Sequence, residues 1–191
     1  MYSKNVIEQT KLIRTNLVLR EILDSLKAID FRERKYPGYK YTGLPLSKFP
    51  VYSYDYEVIS AEEILTIAMR KKLGICKQNG SIYTYDGTYW SVLDVKMLEI
   101  FLGIAAEKLG FHKYEARHYR TIKSLCKQFY ASACLPELEP STEVCKINLE
   151  NGTYEVSSFY HSLMPHNRED YLRYKLPFKH NETVDLSLIH I

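Results

Sequence analysis

The segment from 95 to 109 constrains the fold most strongly, because apolar side chains cover it almost all round. Asp94 stands directly before it and can accept the first free backbone N–H groups of a helix. A helix that is apolar on all sides has no face to leave in water, so it must lie at the centre of a core. The sequence therefore predicts a buried helix over 95–109, which includes Met97, Leu98, Ile100, Phe101, Leu102 and Ile104.

Three further helices are predicted around this central one. Apolar residues recur at helical spacing over 5–29, and Ser60 followed by Glu63 forms a capping box at the start of a second helix. A third helix is predicted over 112–132. The segment 30–58 is interrupted by Pro and Gly, and is predicted to be a connection with little regular structure.

Two β-hairpins complete the predicted fold. Asp86-Gly87 lies between two β-favouring runs, and Asp-Gly suits the positive φ angles of a two-residue turn. Asn151-Gly152 separates a second pair of such runs. Helices mixed with antiparallel hairpins, without an alternating βαβ pattern, predict an α+β fold. We expect a predominantly helical domain with small antiparallel hairpins, not a parallel nucleotide-binding sheet.

Composition and patterning exclude several protein classes. The formal net charge is only +3, so bulk charge indicates no partner. The apolar run at 100–106 is far shorter than the ~20 residues of a membrane span. The N-terminal residues lack the apolar stretch of a signal peptide, and the four cysteines contain no CxxC pair. We expect a soluble cytoplasmic protein with reduced thiols and no membrane partner.

Tyrosine is unusually frequent, with 17 Tyr against 7 Phe and 1 Trp. A tyrosine ring is apolar with a polar tip, so it suits partly exposed surfaces and can stack on nucleic-acid bases. The alternative is coding bias in an AT-rich genome, with the rings as ordinary half-buried residues.

Sequence motifs of catalysis are absent. The chain has no GxxxxGK[ST], GxGxxG, HExxH or GxSxG. Asp55 and Glu57 would share one face of a strand, as in a Mg²⁺ site, but solvated loop acids are the preferred interpretation. His112 and His118 are badly spaced to share a zinc ion on a helix. We therefore predict no catalytic residue and no metal site.

The predicted helix 112–132 has a cationic face. At about 100° per residue, its five basic residues fall within an arc of about 120°, opposite the apolar face. Residues 101–135 contain six basic and two acidic side chains. Because a cationic stripe attracts phosphates by displacing counterions, it is a candidate DNA-binding site. The candidate DNA-binding residues are Lys113, Arg117, Arg120, Lys123 and Lys127. The alternative is a solvated face of a surface helix.

Several short segments together resemble a family signature. Residues 147–152, Pro165-His166, Tyr171 and Leu176-Pro177-Phe178 resemble the signature of the phage and plasmid primase-helicase family. Residues 85–90 resemble the hairpin that enters the same domain, which the poxvirus-type primase-helicase also carries. We assign these residues structural roles, because the prolines stiffen the chain and the Asn-Gly pair suits a turn.

The resemblance implies a viral or plasmid replication protein that assembles as a ring and unwinds DNA ahead of synthesis. In this family a superfamily-three helicase ATPase follows the domain. ATP and Mg²⁺ are therefore expected in that missing module, and no cofactor is expected in this chain. The expected partners are DNA and further copies of the chain, as a hexameric ring in the full-length protein. The expected location is the cytoplasm of a bacterial host.

The resemblance also suggests the domain organisation. Residues 1–59 would be an N-terminal helix and an irregular linker, and 60–180 the accessory domain. Residues 181–191 would be a truncated tail. The last six of these, 186–191, can be encoded by the end of a transposase-based library adapter, and are interpreted as a sequencing artefact. A natural C-terminus is the alternative.

Three functions remain open from the sequence. The first is a non-catalytic accessory domain of an ATP-dependent replicative helicase, which guides DNA and assists ring assembly. The second is a stand-alone, non-enzymatic DNA-binding replication or regulatory protein of a mobile element. The third is a scaffold that contacts only other proteins.

Overall fold

The structure is a computed structural model that describes residues 16–133 and 144–181. Helices and two small three-stranded antiparallel sheets confirm the predicted α+β class. The helices are α1 (Leu17–Ser25), α2 (Phe31–Lys35), α3 (Ser53–Arg70), α4 (Val95–Leu109), α5 (Lys113–Ala116) and α6 (Tyr119–Ser132). Short 3-10 helices lie at Tyr39–Tyr41, Leu46–Lys48 and Arg168–Asp170. The strands are β1 (Gly74–Gln78), β2 (Ser81–Tyr85), β3 (Trp90–Leu93), β4 (Val144–Leu149), β5 (Gly152–Ser157) and β6 (His161–Met164).

The described residues form two compact units. Among the described residues, the first unit contains 16–84 and 92–133, and therefore the helices α1 to α6. The second contains 85–91, the tip of the β2–β3 hairpin, together with 144–181. The strand orders are β1-β2-β3 and β4-β5-β6, and both follow the chain. Of the predicted tail at 181–191, residues 182–191 lie outside the described residues, and these include the suspected artefact at 186–191.

Helix α4 is the centre of the first unit, as predicted. Asp94 Oδ1 accepts the N–H groups of Lys96 and Met97 at 2.9 and 3.2 Å, so the helix begins at Val95. The helix contacts α1, α3, α5 and α6. Its most buried side chains, all at most 1% exposed, are Leu98, Phe101, Leu102, Ala105, Ala106 and Leu109. None of the helices in the described ranges combines the length and the apolar character that crossing a bilayer requires.

The prediction of one continuous helix over 5–29 is wrong in the part that can be compared, because the backbone is extended at Asn16 and the helix ends at Ser25. Asn16 is an extended N-cap whose Oδ1 accepts Leu19 N–H at 3.0 Å, so α1 begins at Leu17; residues 5–15 lie outside the described residues. The helix ends at Ser25, because the chain then becomes extended and Ile29 N–H donates to Leu109 O at 3.0 Å.

The predicted irregular segment 30–58 is also partly wrong. Asp30 Oδ1 accepts the N–H groups of Arg32 and Glu33 at 3.0 and 3.1 Å, which starts helix α2. Helix α3 begins at Ser53, because Asp55 Oδ2 accepts Tyr52 N–H at 2.8 Å. The predicted capping Ser60 therefore lies buried in the middle of α3.

The first hairpin turn is longer than the predicted two-residue turn. Asp86 Oδ1 accepts from Thr88 N–H at 2.8 Å and from Tyr89 N–H at 3.1 Å. A side chain that binds the backbone two residues later holds the chain in an Asx turn. The connection between β2 and β3 therefore spans 86–89.

The second hairpin is confirmed, but its turn lies one residue earlier than predicted. Leu149 pairs with Gly152, so the two turn residues are Glu150 and Asn151. Gly152 belongs to β5, where a Cβ atom would lie 2.5 Å from Met164 O and 3.0 Å from a Leu163 methyl carbon. Glycine is required here because strand β6 approaches the backbone too closely for any side chain.

We predict that Gly152→Ala lowers the free energy of unfolding. The new methyl group must displace the β6 backbone, and overpacking of this kind typically costs about 1–3 kcal/mol. Gly103→Ala in α4 is the matched control, because its Cβ would meet Ile122 at an ordinary 3.5 Å. That variant gains helix propensity and should be neutral or more stable by about 0.5–1 kcal/mol. Urea unfolding of both variants tests this prediction, and equal stability of the two would contradict it.

Candidate nucleic-acid interface

Helix α6 carries most of the basic residues that the sequence identified. Its inner face places Leu125, Cys126 and Phe129 in the core of the first unit, each no more than 3% exposed. Burial raises the pKa of the Cys126 thiol to about 11, so this cysteine stays protonated at neutral pH. The opposite face of α6 is exposed.

The prediction of one continuous helix over 112–132 is wrong. The chain forms α5, turns at Arg117 and extended His118, and starts again as α6. The reason is the burial of Ala116, which is 0% exposed and whose carbonyl oxygen lies near Gly103 of α4. On a continuous helix Ala116 would lie about 180° from Leu125 and could not enter the same core. Breaking the helix buries both residues.

All five candidate residues are exposed, but they do not form one helical stripe. Lys113 begins α5, and Arg117 lies in the turn between the helices. Arg120, Lys123 and Lys127 lie on α6, where their spacing keeps them within about 60° of one another. The structure thus retains a cationic face of three residues on α6. We call these three residues the α6 basic face.

Two of the five candidates form ion pairs with α4. Arg117 Nε and Nη2 donate to Glu107 Oε2 at 3.2 and 3.0 Å, and Lys123 Nζ donates to Glu99. The hydrogen bond to Glu99 raises the pKa of Lys123, which keeps the side chain charged. Both pairs join α4 to the α5–α6 segment and reduce the charge that these two residues can offer to a ligand.

The other three candidates have no carboxylate partner within residues 16–133 and 144–181. Arg120 Nε donates to Tyr119 Oη at 2.9 Å, and its guanidinium carbon lies 5.7 Å from the centroid of the same ring. Lys113 and Lys127 extend from the surface without an ion pair among the described residues. These three cations are the ones best able to contact phosphates.

Lys96 of α4 is a further exposed cation that was not predicted as a site residue. The pairs Glu99–Lys123 and Glu107–Arg117 show that α4 and the α5–α6 segment run antiparallel. Lys96 is exposed and precedes Glu99 by about one helical turn, at the end of α4 toward Lys127. Its position relative to α6 depends on how the two helices pair, and a helical projection of one helix contains no information about that pairing.

Asp55 and Glu57 form neither the Mg²⁺ pair that the sequence analysis set aside nor the loop acids that it preferred. Both residues lie on α3, not on a strand, and two positions along a helix separate their side chains by about 200°. Asp55 instead accepts from Lys35 Nζ at 2.7 Å and caps α3.

The residues that carry the family resemblance meet in the second unit. Asn148 is 0% exposed, and its amide donates to Thr88 O and Tyr174 O, both at 2.9 Å. Its backbone carbonyl accepts Leu176 N–H at 2.9 Å. One side chain therefore joins the β2–β3 turn, strand β4 and the segment before Pro177.

Trp90 and Asn151 make two further connections of the same kind. Trp90 Nε1 donates to Arg168 O at 2.9 Å, its backbone N–H donates to Leu172 O at 2.8 Å, and its ring stacks on Tyr171. Asn151 exchanges two hydrogen bonds with the backbone of His180, at 2.9 and 3.0 Å. The motif residues thus hold irregular segments against the second sheet.

We predict that Asn148→Asp destabilises the second unit more at neutral pH than at low pH. The carboxylate would face the carbonyl oxygens of Thr88 and Tyr174 with no proton to donate, and unsatisfied buried groups cost about 1–3 kcal/mol each. Burial raises a carboxyl pKa, so acid restores one donor and the deficit relative to wild type should shrink as the pH falls. Thermal unfolding between about pH 4 and 8 measures this difference.

The control is Asn167→Asp, because Asn167 is exposed and its side chain accepts from Glu169 N–H at 3.1 Å, with no donated bond among residues 16–133 and 144–181. A carboxylate can replace that acceptor. An Asn148→Asp protein as stable as this control at neutral pH would contradict the prediction.

Comparison with known proteins identifies the family. No curated protein matches the chain at a significant level. A family model described as D5 N terminal like matches residues 62–190, which is more than half of the chain. This family is the N-terminal domain of primase-helicase proteins of replication. The chain therefore belongs to the D5 N-terminal-like family, as the motif residues of its second unit indicate.

Proposed function

We propose that this chain is the accessory domain of a phage or plasmid replicative primase-helicase. It engages DNA through the α6 basic face and assists ring assembly for an ATPase that follows it in the parent protein. The observation that supports DNA contact is the exposure of Arg120, Lys123 and Lys127 on one face of α6, opposite its buried face. Family membership supports the role in replication.

The α6 basic face suits a phosphate backbone for two physical reasons. Its three cations project from a single helix within about 60°, so the backbone that presents them needs no ordering when they meet neighbouring phosphates. Each cation that contacts a phosphate releases a condensed counterion, which makes binding favourable and salt-dependent. Lys113 and Arg117 extend the surface toward α5, although Arg117 shares its charge with Glu107.

The proposal assigns no chemical step to this chain. ATP and Mg²⁺ would act in the ATPase module of the parent helicase, and no described residue is assigned to them. The protein would work in the cytoplasm of a bacterial host, and copies of the parent would form a hexameric ring. Sedimentation of the parent protein with and without residues 1–180 tests whether this domain promotes the ring.

We predict that Arg120→Glu/Lys127→Glu weakens DNA binding at least tenfold. Both residues lack a carboxylate partner among the described residues, so reversing them removes two phosphate contacts and adds repulsion. The slope of log K against log salt should also fall by about two, at a little under one unit per contact. Fluorescence anisotropy with a labelled oligonucleotide, between about 50 and 200 mM salt, measures both quantities.

Lys27→Glu/Lys179→Glu is the matched control. It makes the same change in net charge at exposed lysines outside the α6 basic face. Equal losses in the two variants would show that only overall charge matters, and would reject the α6 contact. Retained affinity and retained salt slope in Arg120→Glu/Lys127→Glu would identify the face as solvated surface.

A further inference from the structure

The segment from the end of α2 to the first turn of α3 exposes aromatic rings that the core does not use. Tyr41 is 91% exposed, and Tyr52 and Tyr54 are 50% and 58% exposed. We call these three residues the tyrosine surface. Six of the 17 tyrosines of the chain lie between residues 36 and 56, so the tyrosine excess is concentrated here.

This segment is anchored to α2 by hydrogen bonds. Arg32 Nε donates to Phe49 O at 2.9 Å, and Lys35 Nζ and Tyr36 Oη donate to Pro50 O at 3.2 and 3.3 Å. The Phe49 ring also contacts the rings of Tyr36 and Tyr39, with centroids 5.4 and 5.6 Å apart. The exposed rings are therefore presented by an ordered scaffold, and ligand binding would cost little ordering entropy.

Tyr52 and Tyr54 already form a stacked pair. Their ring centroids are 5.4 Å apart with an interplanar angle of 20°. Lys35 Nζ lies 5.0 and 5.7 Å from the two centroids, and its salt bridge to Asp55 holds it in place. The arrangement fixes two nearly parallel rings, half exposed, at the start of α3.

One cation of this segment has no carboxylate partner among the described residues. No Asp or Glu occurs from 34 to 54, whereas four basic residues do. Three of them are paired with carboxylates outside the segment: Arg34 with Glu63, Lys35 with Asp55 and Lys40 with Asp30. Lys48 is exposed and has no ion pair within the described residues, so its charge is available to a phosphate.

We propose that the tyrosine surface binds single-stranded DNA by stacking bases on Tyr41, Tyr52 and Tyr54, with Lys48 at the backbone. Every base has a π-face, so such stacking is tolerant of sequence. In a duplex the bases stack on one another and their faces are closed, so this surface selects single strands. The inference rests on the proposed function, and adds to it a second contact and a strand preference.

A protein ligand is the other class that an aromatic surface could bind. Lys48 carries a charge that no carboxylate balances within the described residues, which favours a phosphate polymer over a neutral peptide. Membership of a replication family favours it as well.

The test is anisotropy with two fluorescein-labelled probes, an oligothymidylate of about 20 nucleotides and a duplex of about 20 base pairs. Tyr52→Ala/Tyr54→Ala should weaken single-strand binding about tenfold or more, since each base that stacks on an aromatic ring contributes substantially to the binding affinity. Duplex affinity should change less than about twofold. Tyr41→Ala should weaken single-strand binding about fivefold, and truncation of a side chain that is 91% exposed spares the fold.

Two controls separate stacking from general effects. Tyr52→Phe/Tyr54→Phe keeps both rings and should retain single-strand affinity. Phe159→Ala removes a ring that is 96% exposed in the second unit and should also retain it. Unchanged single-strand affinity in both tyrosine-to-alanine variants, or equal losses for single strand and duplex, would overturn the inference.

The same assay distinguishes the two proposals. If Arg120→Glu/Lys127→Glu lowers affinity and the tyrosine variants do not, the α6 contact stands and the tyrosine surface is rejected. The reverse result supports the tyrosine surface and rejects the α6 contact. If the unmodified chain binds neither the single-stranded probe nor the duplex, both proposals are overturned.

Discussion

Burial of α4 among four other helices is the constraint on which the first unit depends. A helix with so little exposed surface leaves few positions for charge, and three of its charged side chains make contacts with neighbouring segments. Glu99 and Glu107 pair with Lys123 and Arg117, and Lys108 Nζ donates to Leu23 O at 2.6 Å. The central helix thus fixes its neighbours by packing and by these polar contacts at its edges.

The sequence predicted best the elements whose signals are local. The boundaries of α4 follow from Asp94 and an apolar run, and both are as predicted. The Asn79-Gly80 pair is an equally local signal for a turn, and both residues do have positive φ. Strand β1, which ends just before this turn, was nevertheless not predicted. The break before α6 could not be predicted from the sequence, because it depends on the burial of Ala116 against the rest of the first unit. The fold class was thus more predictable than the geometry of the candidate site.

The family signature and the proposed DNA contacts belong to different units of the chain. Asn148 and Trp90 are committed to hydrogen bonds within the second unit, whereas the α6 basic face and the tyrosine surface belong to the first. Recognition of the family from its motifs therefore depends on residues that stabilise structure. The surfaces that would contact a ligand carry no motif, which is why a sequence signature identifies this domain without locating its binding residues.

The two carboxylates of α4 have a consequence for the range of anions that could bind beside α6. Glu99 and Glu107 already occupy Lys123 and Arg117, so a single small phosphate would meet competition and repulsion from them. A polymer also experiences this repulsion. Once one of its phosphates is bound, however, its other phosphates are held at a high effective concentration near Arg120, Lys127 and Lys113. The ion pairs between α4 and the α5–α6 segment would therefore favour a polyanion, which can contact several of the remaining cations at once, over a free phosphate, which can contact only one or two.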